Sequence, residues 1–152
     1  MQPLQIRTAT LADYPSLEKI YLEARRESFP WVINPQLTDF ERDSHHETIL
    51  VALQNNQAVG FLSFYRLANF IHLLFVDPNH QHEHVGTQLI TAIRQVATGP
   101  LQLKVVTENE AAQKFYAQLG FREIKRDLLA RPTNITLEDT ALAHYPFLGK
   151  RK

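Results

Sequence analysis

The sequence predicts an α/β fold in which helices cover both faces of a mixed sheet. Three observations carry this. Short runs of alternating or β-branched apolar residues recur as strands, stripes of period 3.6 fall between them, and the two kinds follow the order β-α-α-β-β-β-α-β-α-β-β. Residues 4–8 read as the first strand. Thr10 with Asp13 three positions on resembles a capping box, and Tyr14, Leu17, Ile20, Tyr21 and Ala24 then form a helical stripe. Pro30-Trp31 interrupts it, and residues 37–46 are expected to make a second, short helix. Residues 48–53 and 58–65 form a hairpin turning at Asn55-Asn56. Residues 70–76 are nearly all apolar, as suits a central strand. Leu89, Ile90, Ile93, Val96 and Ala97 give the buried face of a helix expected to stop at Gly99-Pro100. Residues 101–106 alternate and end β-branched, so they form a strand. Asn109 opens a helix that Gly120 closes from the position where a left-handed residue caps it. A strand over residues 122–128, a polar loop and a last strand near residues 140–145 complete the order, and Lys150-Arg151-Lys152 read as a frayed tail.

The 152 residues suit one domain, spanning 1–152, with a core of its own. Sixteen Lys and Arg balance sixteen Asp and Glu, which excludes a broad basic footprint for nucleic acid or an acidic membrane. No signal peptide and no bilayer-spanning apolar run is read. The absence of cysteine excludes disulfides and a cysteine acyl-enzyme, and it fits a cytoplasmic protein. An acyl group, if one is moved, would pass directly from donor to acceptor.

Two segments carry chemistry. Asn109 and Tyr116, seven apart, share one helix face, while Phe115 and Leu119 are expected to turn from it toward a sheet. A helix made only for packing has no need of an amide and a phenol in line. Upstream, the loop of Gln81, His82, Glu83, His84, Val85, Gly86 and Thr87 leads into a helix, whose free N–H groups and dipole attract phosphate. The plain alternative is a strand-to-helix turn. His80, His82 and His84 would project to one side of an extended segment and, with Glu83 beside them, could bind zinc or nickel.

The run from Asn109 through Ala112, Phe115 and Tyr116 to Gly120-Phe121 resembles the Asn-x-x-Ala-x-x-Phe-Tyr-x-x-x-Gly-Phe signature of the GNAT N-acetyltransferases. The apolar strand ending Val76-Asp77-Pro78, followed by Gln81 and Gly86, resembles that family's strand and loop, with His84 in place of the first loop glycine. Ile6-Arg7-x-Ala9-Thr10-x-x-Asp13 resembles its N-terminus, so the likeness runs from about residue 4 to about residue 145. It implies a single GNAT-like domain, with a mixed, mostly antiparallel central sheet of about six to seven strands.

It also implies transfer of acetyl from acetyl-CoA to a primary amine, on a small molecule or a peptide, with no metal required, and the balanced charge adds the expectation of no nucleic acid and no membrane as partner. A homodimer is an expected state. Acetyl-CoA would lie along Leu74, Phe75 and Val76, the loop Gln81, His82, Glu83, His84, Val85, Gly86 and Thr87, and the helix residues Asn109, Ala112 and Phe115. Tyr116 would be the acid that protonates the departing thiolate. The strand position where family members often carry a basic glutamate is near Phe70. His72, two residues on, is expected on the same face and is the candidate base. Glu23, Glu27, His45 and His46 are the other candidates. Phe29, Trp31 and Tyr65 would wall the acceptor, and Glu27 or Asp39 would hold a cationic amine. The competing functions are a non-catalytic acyl-CoA-binding regulatory module and a His-rich metal binder.

Overall fold

The computed structural model describes residues 3–141 and Tyr145, so the basic tail lies outside the described residues. The chain order is β1 (Gln5–Thr8), α1 (Tyr14–Ser28), α2 (Asp39–Asp43), β2 (Thr48–Gln54), β3 (Gln57–Tyr65), β4 (Phe70–Val76), α3 (Val85–Val96), β5 (Gln102–Val106), α4 (Glu110–Gln118), β6 (Phe121–Asp127) and β7 (Asn134–Asp139). The seven strands make one sheet in the order β1-β2-β3-β4-β5-β7-β6. Every neighbouring pair is antiparallel except β4 and β5, which run parallel.

Local chemistry accounts for the element ends. The Thr10 N–H donates to Asp13 Oδ2 at 2.8 Å, and Arg7 grips the same carboxylate at 2.8 and 2.9 Å, tying β1 to the turn that opens α1. The Arg7 guanidinium, with the Thr10 N–H, holds the Asp13 carboxyl down at about 2. Asn55 and Asn56 take φ of 53° and 63°, the two positive values a tight hairpin turn needs. Gly120 takes φ of 100° at the end of α4.

The sheet is covered on both faces. On one, Val85, Leu89, Ile90 and Ile93 of α3 and Tyr116 of α4 pack on Leu62, Phe64, Ile71, Leu103 and Val105. On the other, Leu17, Ile20, Tyr21 and Ala24 of α1 and Phe40 of α2 pack on Val51, Phe61, Leu73 and Phe75. Burying a side chain of this kind is worth about 1.5–3 kcal/mol relative to exposure, so these two layers hold the helices to the sheet. Among the described residues no helix is long and apolar enough to cross a membrane.

Four expectations are corrected. The last strand is β7, residues Asn134–Asp139, rather than residues 140–145. Its Ile135 and Leu137 enter the core while Thr136 and Glu138 alternate with them, and six residues with so many polar groups read as loop. Thr140, Ala141 and Tyr145 are in no strand, and residues 142–144 lie outside the described residues. The second helix shrinks to the five residues of α2. The α3 helix ends at Val96, before Gly99, because Ala97 is already extended (ψ 144°), and Val96 is 46% exposed rather than buried. On α4 the faces are exchanged: Tyr116 is the buried residue, and Phe115 is half-buried against Gly86 of α3.

Candidate active site

β4 and β5 stay paired only at Phe70↔Gln102 and Ile71↔Leu103. Beyond that point the two parallel strands have no ladder bonds to each other, and a cleft of about 260 Å³ opens there. Leu74 and Phe75 line it from β4, Leu103 to Val106 from β5, Asn109, Ala112 and Tyr116 from the α4 side, and Phe29, Trp31 and Val32 from the end of α1. Unpaired strand edges leave backbone donors and acceptors available to a ligand.

Tyr116 sits in the floor of this cleft. Its ring meets Phe115 and Phe121 edge-on, with centroids 5.0 and 5.5 Å away. Its hydroxyl makes no hydrogen bond among the described residues, yet no buried side-chain polar atom among them is left unpartnered. The hydroxyl therefore reaches the cleft surface. Burial pushes its pKa well above the usual phenol value, so it keeps its proton at any ordinary pH. Asn109 Oδ1 accepts from the Ala112 N–H at 3.1 Å, the helix cap, while its amide NH2 stays without a protein partner among the described residues. The cap and a ligand contact are compatible.

His72 is displaced by a β-bulge. The β3–β4 register steps from Ser63↔Leu73 to Phe64↔Ile71, leaving His72 as the extra residue. The expected simple alternation with Phe70 is broken there. The side chain, 41% exposed, lines the cleft. Its Nδ1 lies 2.9 and 3.1 Å from the two carboxylate oxygens of Glu47, which also accepts from the buried Ser63 hydroxyl. Sequence reasoning missed Glu47 and Ser63. Ser63 left a faint signal, a lone hydroxyl among Phe61, Leu62 and Phe64; Glu47 left none. The other base candidates do not line the cleft: Glu23 borders a separate groove beside Arg7 and Lys19, Glu27 is exposed, and the rings of His45 and His46 lie against each other, centroids 3.8 Å apart and tilted by 49°.

The loop after β4 departs from the sequence picture in detail. Gln81 Nε2 donates to the Val76 carbonyl at 3.1 Å, so this side chain straps the end of β4. Pro78–His80 form a 3-10 turn, and His82 and His84 are both left-handed (φ 64°), so the segment is not extended and its histidines do not alternate. His80 Nδ1 instead meets Glu83 at 3.0 Å, and among the described residues no group of three His, Cys, Asp or Glu is placed to hold a metal. His84 is the cap of α3, and the first bond of that helix runs from the Gln88 N–H to the His84 carbonyl at 3.1 Å. The N–H groups of Val85, Gly86 and Thr87 have no acceptor among the described residues. Val85 is buried, and it fits because a Cβ on Gly60 would lie 2.9 Å from its Cγ1. Gly86 is no left-handed glycine: its missing Cβ makes room for the Phe115 ring, from which a Cβ there would lie only 3.1 Å.

An aromatic wall stands at one end of the cleft. Phe29 packs on Trp31 at 4.8 Å and on Phe75 at 5.3 Å, whereas Tyr65, at the far end of β3, is 42% exposed and outside the cleft. Asp39 is not free to hold an amine. It accepts from the Gln36 N–H and from Arg25 at 2.9 Å each, and these contacts, with Arg42, keep its carboxyl below the ordinary range.

A model of the acetyltransferase (GNAT) family matches residues 14–121. The N-alpha-acetyltransferase RimI of Mycobacterium tuberculosis is 26% identical over 130 residues, covering 81% of each chain. The apo form of YjaB from Escherichia coli superimposes with a TM-score of 0.75 at 23% identity, covering 92% of this chain and 99% of that one. The PaiA N-acetyltransferase of Thermoplasma acidophilum, in complex with coenzyme A, gives 0.74 at 16%, covering 91% and 99%. The structural likenesses concern the fold, and the family match runs from α1 to the start of β6, most of the chain. The chain belongs to the acetyltransferase (GNAT) family.

Proposed function

We propose that this protein moves an acetyl group from acetyl-CoA directly to a primary amine. The observation that carries the reading is the Tyr116 hydroxyl, unpartnered within the fold and open to the cleft between β4 and β5, with His72 lining that cleft too. Two features of the chain suit acetyl-CoA. The free N–H groups at the start of the twelve-residue α3 suit a diphosphate. The splayed strands suit an extended arm, which the Asn109 amide can hold, and Leu74, Phe75 and Ala112 give that arm apolar walls. Gln81 acts through its hydrogen bond to the Val76 carbonyl of β4, and Phe115 by packing on Gly86.

The amine nitrogen forms a bond to the thioester carbonyl carbon, and the C–S bond breaks with its electron pair on sulfur. The sulfur needs a proton; a free thiol has a pKa of about 8.5. Tyr116, still protonated because burial disfavours the phenolate, donates to it. An amine arriving as ammonium gives one proton to His72 and on to solvent. The second, lost as the new bond forms, replaces the one Tyr116 gave. Unpaired N–H groups of β4 can polarise the carbonyl. Since the relative from Mycobacterium tuberculosis is an N-alpha-acetyltransferase, a peptide α-amine belongs among the first acceptors to try.

Free CoA release from acetyl-CoA, measured over small aliphatic amines, aralkylamines, peptides with a free N-terminus and N-blocked peptides with a free lysine, tests this. Release above background hydrolysis with at least one free amine, and none with fully blocked peptides, is expected. Tight acetyl-CoA binding with release for no amine would favour the non-catalytic acyl-CoA-binding module.

A further inference from the structure

We propose that Glu47 is a positioning residue: it holds the imidazole of His72 in the tautomer that can accept a proton from the amine, and Ser63 in turn fixes Glu47. This deepens the acetyltransferase reading and rests on it. Ser63 is fully buried at the centre of β3, opposite Leu73 and Ile49. A serine hydroxyl there must find a partner, and Glu47 is the one it has. The Glu47 backbone is set by the left-handed turn at His46 (φ 63°) and by its N–H bond to the Ser44 carbonyl at 3.0 Å. The carboxylate, 11% exposed, therefore reaches one place, against His72 Nδ1.

The consequence is chemical. A carboxylate only accepts hydrogen bonds, so Nδ1 carries the hydrogen and, in the neutral ring, Nε2 keeps its lone pair. That nitrogen makes no hydrogen bond among the described residues. The bulge that takes His72 out of the ladder is what brings it to Glu47 and the cleft together. The other charged or titratable side chains lining the cleft are Arg25 from α1, Lys104 from β5 and Tyr21 and Tyr116. Arg25 is committed to Asp39, the Gln36 carbonyl and the Tyr21 carbonyl, and Tyr21 to Asp43. Of the described carboxylates, Glu47 is the one His72 pairs with.

Glu47→Gln separates positioning from mere support. Glutamine can still accept from Ser63, but its NH2 would donate to Nδ1 and force the hydrogen onto Nε2, so the shape survives and the base is lost. The assay compares wild type, Glu47→Gln, Glu47→Asp and His72→Ala on ethylamine, which is protonated at pH 7, and on 2,2,2-trifluoroethylamine, which is largely neutral. With ethylamine, Glu47→Gln and His72→Ala should each lose about 10²-fold or more in kcat/KM. With the neutral amine the loss should shrink to a few-fold, KM for acetyl-CoA should hold throughout, and Glu47→Asp should recover part of the rate. If His72→Ala loses rate with ethylamine and Glu47→Gln does not, the positioning role is overturned and the base stands. Equal losses on both amines would mean structural support only, and would also overturn it. Should the wild type acetylate no amine, the acetyltransferase reading fails separately. The wild-type tautomer, read by two-bond 1H–15N NMR with the imidazole neutral, then decides: Nδ1–H upholds the pairing, and Nε2–H refutes it whatever the variants do.

Discussion

His84 shows how one side chain can sit against its own backbone. It takes φ of 64° and ψ of 19° at the cap of α3, a conformation that costs a side-chain-bearing residue about 1 kcal/mol, though histidine is among those that tolerate it. The glycine of the family pattern that it replaces is thus explained by backbone geometry. His84→Gly should raise stability by roughly 0.5–1 kcal/mol, and His84→Val should lower it, both read by denaturant unfolding; a glycine variant less stable than the parent would contradict the strain. At this scale the sequence told much. Tyr116 and Asn109 are legible from residue type, spacing and the family resemblance, and His72 from residue type and the resemblance, its spacing to Phe70 being broken by the bulge; all three line one cleft. Glu47 was not, because it meets His72 across twenty-five residues of chain through a turn that no local pattern announces.

Among the elements, the β4–β5 splay and the β4 bulge make the site, and neither is written in periodicity. An apolar run such as Phe70 to Val76 says central strand, but register and bulges arise from pairing with β3 and β5. For the same reason β7 was missed, since pairing on both sides makes a strand of a polar segment. The seat of α4 on α3 depends on Gly86. A branched side chain there would meet the Phe115 ring, so Gly86→Val should cost about 1–3 kcal/mol as overpacking. Phe115→Ala made in the same chain should recover part of that cost, and a double-mutant cycle by urea unfolding measures the coupling. Strict additivity would show that the two helices do not meet through this pair.

Over the whole molecule, the sheet divides the labour. The face under α3 and α4 carries the free helix N-terminus, Asn109 and Tyr116, and the face under α1 carries Glu47, Ser63 and the aromatic wall. The gap between β4 and β5 is where a donor from one face and an acceptor from the other can meet. The order of strands and helices gave helices on both faces and the family resemblance a mixed, mostly antiparallel sheet, but that the one parallel pair is β4 with β5 comes from the structure alone. In the proposed reaction the Tyr116 hydroxyl serves the chemistry. Since that hydroxyl has no hydrogen bond within the described fold, Tyr116→Phe should leave stability nearly unchanged. The direct measurement is the single-turnover rate of acetyl transfer with a good amine acceptor, alongside acetyl-CoA affinity. A fall of about 10²–10⁴ in rate with affinity intact is predicted, the mark of an interaction made in the transition state. A folded Tyr116→Phe protein that transfers acetyl at the wild-type single-turnover rate would contradict it.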